Sequence, residues 1–100
     1  MDLIMGGVRS GKTTKLIQRC ADEGGYIVCH SRGEAHRVFT VAREQGYNIP
    51  MPLTYDDVLH GNYYASVVGQ LWFDNIQFLL QHIAGGSAIG AITTSLQPEE

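Results

Sequence analysis

Apolar residues along the chain alternate between short continuous runs and runs with helical spacing. The continuous runs predict β-strands, because each is only four to seven residues long. The four predicted strands cover residues 2–5, 26–30, 67–73 and 88–94. None of these runs alternates apolar with polar residues, so both faces of the predicted sheet should be covered. That pattern is typical of a parallel sheet.

Between the strands, apolar residues repeat with the spacing of an α-helix. The first helix is predicted from Gly11 to residues 24–25, and the second follows the capping-box spacing of residues 31–34. A helix of one to two turns should begin at residues 54–57, and a last helix should follow residue 75. Their apolar faces comprise Leu16, Ile17, Cys20 and Ala21, then Ala35, Val38, Phe39 and Ala42, and finally Ile76, Leu79, Leu80 and Ile83.

The alternation of strand and helix predicts an α/β fold. Because parallel crossovers are right-handed, the expected architecture is a three-layer αβα sandwich with a minimal four-stranded parallel sheet. One hundred residues, 44% of them hydrophobic, are enough for one core and too few for two, so a single domain is predicted over residues 1–100. Cys20 and Cys29 do not have metal-ligand spacing and are expected to be small buried residues.

Charge is distributed unevenly along the chain. All seven Lys and Arg residues lie within the first 43 residues beside four acidic residues, which gives +3, whereas the remainder carries six acidic residues and no Lys or Arg, which gives −6. A polyanion would therefore meet the first half of the chain. No apolar run approaches the roughly 18 residues of a membrane span. Because the start of the chain also lacks a basic signal, a cytoplasmic protein without membrane contact is expected.

One segment matches the pattern G-x-x-x-x-G-K-[ST] in full, and it lies between the first predicted strand and the first predicted helix. Its eight residues, together with the threonine that follows, form the predicted nucleotide-binding loop: Gly6, Gly7, Val8, Arg9, Ser10, Gly11, Lys12, Thr13 and Thr14.

The chemistry of a triphosphate explains why these residue types occur in this order. Backbone N–H groups surround the phosphate oxygens, and Gly6 and Gly11 allow the required backbone conformations. The helix N-terminus adds further N–H groups. Lys12 is predicted to place a positive charge between the β- and γ-phosphates, and the Thr13 hydroxyl is predicted to bind Mg²⁺.

Asp74 is the predicted acidic partner of the metal, because it follows an apolar strand at the edge where ligands bind in parallel sheets. The alternative is that Asp74 is the N-cap of the last helix, and both roles are compatible. Asn75 follows it. An Asn side chain holds a water molecule but does not accept its proton, so we expect slow hydrolysis at most. Glu34 or a neighbouring subunit could supply the missing carboxylate.

Two further groups are candidates for contact with the nucleotide. The fourth predicted strand ends in hydroxyl residues, of which Thr94 or Ser95 would sense the γ-phosphate; the alternative is ordinary strand packing. Arg9 and Arg32 could reach phosphate or a partner's nucleotide, or face solvent.

With these motifs the chain resembles a P-loop NTPase of the additional-strand class. The resemblance covers nearly the whole chain and implies the sheet order first, fourth, third, second. The chain is also similar to short P-loop proteins of phage genomes in Ser10–Ile17, in residues 25–30 and in residues 54–57. That similarity implies nucleotide binding and a viral origin, which would place the protein in the host cytoplasm.

A second resemblance is to the thymidine-kinase type, whose signatures Ser-Gly-Lys-Thr-Thr and Asp-Glu-Ala-Gln-Phe correspond to residues 10–14 and 74–78. Asn75 stands where that family has its Glu base, and the zinc-binding cysteines of that family are missing here. We therefore do not expect a deoxynucleoside kinase.

Three functions are compatible with these residues. The first is Mg²⁺-dependent binding and slow hydrolysis of a nucleoside triphosphate, ATP by expectation, with Lys12, Asp74, Asn75 and Thr94 as catalytic residues. The second is a nucleotide-binding switch that does not hydrolyse, in keeping with Asn75. The third is an accessory of a nucleic-acid motor or packaging complex. A homo-oligomer is expected, because so short a chain has little material for its own arginine finger and lid.

Overall fold

The structure is a computed structural model that describes residues 1–6, 11–61 and 69–98. Strands and helices alternate along these residues, which confirms the mixed α/β class. In chain order the elements are α1 (Lys12–Glu23), β1 (Tyr26–Cys29), α2 (Arg32–Glu44), β2 (Leu53–Thr54), α3 (Tyr55–Leu59), β3 (Leu71–Phe73) and α4 (Ile76–Ala84).

The three strands form a parallel sheet in the order β2-β1-β3, so β1 is the central strand. Val28 is opposite Leu53 on one side and Phe73 on the other. Since all three strands run in one direction, their carboxyl ends meet at a single edge of the sheet. The residues that follow each strand, including His30 and Asp74, are therefore brought together there.

The main core lies between the sheet and the helices α1 and α2. Ile27, Cys29 and Trp72 belong to one buried cluster with the predicted apolar faces of both helices. Val28 is also fully buried but lies on the opposite face by the alternation of a strand. Phe73, its partner in register, is on that face too, and the ring of Tyr55 from α3 is 6.5 Å from the ring of Phe73.

The predicted N-cap residues of α2 and α3 are confirmed, and the reciprocal capping box is complete at α3. The Ser31 hydroxyl accepts a hydrogen bond from the backbone N–H of Glu34 at 3.1 Å, which starts α2. Thr54 and Asp57 form a complete capping box at the start of α3. The predicted buried cysteines are confirmed, with burial raising the pKa of Cys20 to about 11 and that of Cys29 to about 12.

Two of the four predicted strands are not part of this sheet. In residues 2–5 the pairing is limited to a single parallel bridge between Leu3 and Pro98, and residues 88–94 form neither helix nor strand. Three of the seven residues in 88–94 are Ala or Gly, which have low strand propensity. The third prediction, residues 67–73, is confirmed for Leu71–Phe73, while residues 67–68 lie outside the described part.

Helix α4 is present as predicted, but the predicted burial of its apolar face is wrong. Ile76 and Ile83 are exposed, Leu79 and Leu80 are half-buried, and no residue of α4 is fully buried. The physical reason is that residues 88–94, expected to extend the sheet beneath this helix, are not in the sheet. Among the described helices, none is long and apolar enough to cross a membrane.

Candidate functional site

The N-terminus of α1 begins with a glycine in a left-handed conformation. Gly11 is the N-cap residue with φ of 81°, and its carbonyl accepts the backbone N–H of Lys15 at 3.0 Å. Among the described residues, a Cβ at Gly11 would meet no atom within 4 Å, and its φ of 81° is the feature that favours glycine here. Because the N-cap residue is a glycine, it has no side chain that could cap the first-turn N–H groups of α1. Residues 7–10 of the predicted loop lie outside the described residues.

Thr13 and Asp74 meet at the carboxyl edge of the sheet. The Thr13 hydroxyl donates a hydrogen bond to Oδ1 of Asp74 at 3.2 Å, across 61 positions of sequence. Thr13 belongs to the first turn of α1, and Asp74 directly follows β3, whose position is held by a bond from the Asp74 N–H to the Val28 carbonyl at 3.0 Å. The two residues predicted to share a metal are thus adjacent.

The second oxygen of Asp74 is buried without a protein partner. Asp74 is only 4% exposed, and among the described atoms its Oδ2 has no hydrogen bond. Burial raises the pKa of this carboxyl, Glu34 raises it further, and the Thr13 hydrogen bond and the charges of Arg37 and Lys12 lower it. A buried acceptor without a donor is a costly group, and a cation would satisfy it.

This donor set fits Mg²⁺. The ion prefers oxygen ligands and usually binds one or two protein groups, completing its shell with water and phosphate oxygens. Thr13 and Asp74 would hold it, and its charge, when bound, would offset that of the phosphates. Lys12 is half-buried at the start of the same helix, and its charge acts on Asp74.

Asn75 has an unusual backbone conformation. Its φ of 59° is the only positive φ outside glycine in the described residues, and Asn75, not Asp74, is the N-cap of α4. The alternative in which Asp74 caps the helix is therefore wrong, because α4 begins one residue later. The Asn75 side chain makes no capping bond and accepts from Gln77 Nε2 at 3.3 Å. Left-handed non-glycine residues concentrate at functional sites, and Asn adopts this conformation more readily than most.

Tyr55 fixes the turn that carries Asp74 and Asn75. Its buried hydroxyl donates to the carbonyl oxygens of Asp74 at 2.7 Å and Asn75 at 2.8 Å. Burial raises the pKa of Tyr55 to about 12, so the hydroxyl stays protonated and remains a donor. This role was not predicted from the sequence, in which the only signal is the position of Tyr55 directly after the capping residue Thr54.

Tyr55→Phe is expected to destabilise the protein by about 1–2 kcal/mol, because the buried Asp74 carbonyl and the partly buried Asn75 carbonyl lose their donor while the ring volume is kept. Urea denaturation measures this difference. Tyr47→Phe, the same change in a half-buried tyrosine beyond α2, should cost less than about 0.5 kcal/mol. Equal effects in the two variants would contradict the role of the Tyr55 hydroxyl.

Glu34 and Arg37 form an ion pair on α2 near this edge. Nε of Arg37 donates to Oε1 of Glu34 at 2.9 Å, and Nη2 of Arg37 contacts the same oxygen. This hydrogen bond lowers the pKa of Glu34 despite partial burial. The Arg37 side chain is 54% exposed, so this ion pair lies at the surface of α2. Arg32 lies 3.9 Å from Asp57 with most of its side chain exposed.

Thr94 is not placed beside Thr13 and Asp74 by the sheet. It is exposed, and its hydroxyl accepts the backbone N–H of Leu96 at 3.0 Å. Ser95 is exposed as well. Because residues 88–94 form no strand, the strand end that was to present these hydroxyls is not observed, and the role of Thr94 as a sensor remains a prediction.

Comparison of the chain with protein-family models, with curated proteins and with solved structures gives no match.

Proposed function

We propose that this protein binds a nucleoside triphosphate, ATP by preference, together with Mg²⁺ and hydrolyses it slowly in a P-loop arrangement. The observation that carries the proposal is the hydrogen bond between Thr13 and Asp74. One residue ends the G-x-x-x-x-G-K-[ST] pattern and the other directly follows β3, and the sequence alone predicts that both bind the same metal ion.

Each residue has a role that follows from its position. The N-terminus of α1, which follows the left-handed Gly11, would offer backbone N–H groups to phosphate oxygens. Lys12 adds positive charge at the β- and γ-phosphates, and Thr13 and Asp74 hold the metal. In this arrangement residues 6–14 form the loop, and the four-stranded sandwich with the order first, fourth, third, second remains part of the proposal.

The second candidate function is a nucleotide-dependent switch without hydrolysis. It is favoured by Asn75, which occupies the position after the metal-binding acid and has no group that accepts a proton. The two candidates differ in turnover and share nucleotide binding.

Calorimetric titration with ATP, with and without Mg²⁺, tests the shared claim. Lys12→Ala should weaken ATP binding about 10- to 100-fold, since a charge-assisted contact to phosphate contributes about 1.5–3 kcal/mol. Lys15→Ala removes the same charge one turn further along α1 and should change the affinity less than about threefold.

Binding of ATP that does not depend on Mg²⁺ or on Lys12 would contradict the proposal, as would a folded wild-type protein that binds no triphosphate. Phosphate release then separates the two functions. Turnover that requires Lys12 supports the hydrolase, and tight Mg²⁺-dependent binding without turnover supports the switch.

A further inference from the structure

A hydrolase built on this site lacks an obvious proton acceptor. Asn75 cannot take a proton, and of the two oxygens of Asp74, one accepts from Thr13 and the other is the buried oxygen assigned to the metal. The base must therefore come from another element, and its identification rests on the proposed function.

The topology brings the start of α2 to the same edge as Asp74. Helix α2 begins at Arg32, directly after the central strand β1, and β3 is the neighbour of β1. The N–H of Asp74 is bonded to Val28 of β1 at 3.0 Å. Independently, the ring of His30 lies 4.7 Å from the ring of Phe78 in the first turn of α4. The connection from β1 to α2 thus borders the Asp74–Asn75 turn.

Glu34 is the carboxylate in the first turn of α2, directly after this connection. Its backbone is anchored by the N-cap residue Ser31, and its side chain is held by Arg37. The side chain is 18% exposed, so it is partly enclosed and still open to water. Its charge acts on Asp74, and the charge of Asp74 acts on Arg37, which is consistent with this placement.

We propose that Glu34 is the general base that accepts the proton of the attacking water. The water oxygen forms a bond to the γ-phosphorus, and one water proton passes to a carboxylate oxygen of Glu34. The bond between the γ-phosphorus and the β–γ bridging oxygen breaks, and its electron pair leaves with the nucleoside diphosphate. Inorganic phosphate is the second product, and Glu34 returns its proton to solvent.

Arg37 has the role of a positioning residue, since it contacts Glu34 and holds the carboxylate in the ionised form. A carboxylate that is paired in this way is a weak base. Its pKa lies below the ordinary value, away from the neutral range in which proton acceptance is most effective. The ion pair between Glu34 and Arg37 is thus a physical reason for the slow hydrolysis that we propose.

Single-turnover cleavage of Mg²⁺-ATP by the full chain tests the proposal. Glu34→Gln keeps the shape of the side chain, and it should slow cleavage about 100-fold while the Kd for ATP changes less than about twofold. Glu44→Gln removes an exposed carboxylate from the last turn of the same helix and should leave both values unchanged.

Glu34→Ala provides a second measurement that a structural role would not affect. Added formate should restore part of its cleavage rate, because a small carboxylate can occupy the vacated position. Cleavage by Glu34→Gln at the wild-type rate overturns the proposal, and so does a wild type that binds Mg²⁺-ATP without cleaving it. A wild type that binds no nucleotide contradicts the proposed function itself, so the two failures are distinguishable.

Discussion

Asp74→Asn is expected to lower Mg²⁺-dependent phosphate release about 1,000-fold or more and, at the same time, to stabilise the nucleotide-free protein. The loss of turnover follows from the loss of a metal ligand, since a bound metal contributes several kcal/mol of charge stabilisation and each 1.36 kcal/mol is a factor of ten. The gain in stability follows from the removal of a buried charge with one unsatisfied oxygen.

The sign of the stability change comes from the direction of the pKa shift. Burial raises the pKa of Asp74, so the folded protein binds this proton more tightly than the unfolded chain does. The free energy of unfolding therefore decreases as the pH rises from the unfolded pKa through the folded one, and the whole penalty is present above the folded pKa. Asp74→Asn removes this penalty, and a gain of about 1–3 kcal/mol is expected at pH 7.

Phosphate release measures the first effect, and thermal melting at pH 5 and pH 8, with and without Mg²⁺-ATP, measures the second. The variant should melt above the wild type without ligand, by a larger margin at pH 8, and should lose the stabilisation that Mg²⁺-ATP gives the wild type. Asp56→Asn, which removes an exposed carboxylate from α3, is the control and should leave turnover unchanged. An Asp74→Asn variant that is less stable without ligand, or still active with Mg²⁺, would contradict the assignment of Asp74.

The burial of the apolar face in α2 and its exposure in α4 show which parts of the fold were predictable. Both helices were correctly located, α2 from apolar spacing and its N-cap signal and α4 from apolar spacing. The apolar face of α2 is buried because it packs on β1, which is itself flanked by two strands. The face of α4 remains partly exposed because its burial depends on residues 88–94, whose strand pairing is non-local and whose Ala and Gly residues have little intrinsic preference for a strand.

The candidate site also has features that could be predicted from the sequence and features that could not. The contact between Thr13 and Asp74 was predictable because the sequence pattern assigns both residues to one metal site, whereas their metal-binding role stays a prediction. The role of Tyr55 was not predictable, because it depends on a hydroxyl that reaches two backbone carbonyls some twenty positions away, and no local pattern encodes such a contact. The conformation of Asn75 was missed as well, since a positive φ is set by the turn between β3 and α4 and not by the residue alone.

Gly25 connects α1 to the sheet, and Gly25→Ala is expected to destabilise the protein more than Tyr55→Phe does. Its φ is 99°, and an added Cβ would collide with the Gln70 carbonyl oxygen and lie 2.9 Å from Nε1 of Trp72. The same carbonyl accepts the N–H of Tyr26 at 3.0 Å, so the collision falls on the contact that joins β1 to β3.

Two physical terms add at this position. A left-handed conformation costs an alanine about 1–2 kcal/mol, and the displacement of packed backbone costs about 1–3 kcal/mol more. Gly46→Ala isolates the first term, because Gly46 has a φ of 82° with open space around the added Cβ. We therefore expect a loss of about 2–5 kcal/mol for Gly25→Ala, and thus a Tm about 10 °C or more below that of the wild type, against about 1–2 kcal/mol for Gly46→Ala.

Because β3 carries Asp74 at its carboxyl end, the displacement should also reach the candidate site. At a temperature where both variants are folded, Gly25→Ala should bind Mg²⁺-ATP more weakly than the wild type, whereas Gly46→Ala should bind it equally well. Equal melting temperatures for the two variants would show that the sheet accommodates the added methyl group, and the close approach of Gly25 to Gln70 would then have no energetic consequence. A selective loss in Gly25→Ala would instead link the packing of β3 against β1 to the position of the Asp74 carboxylate.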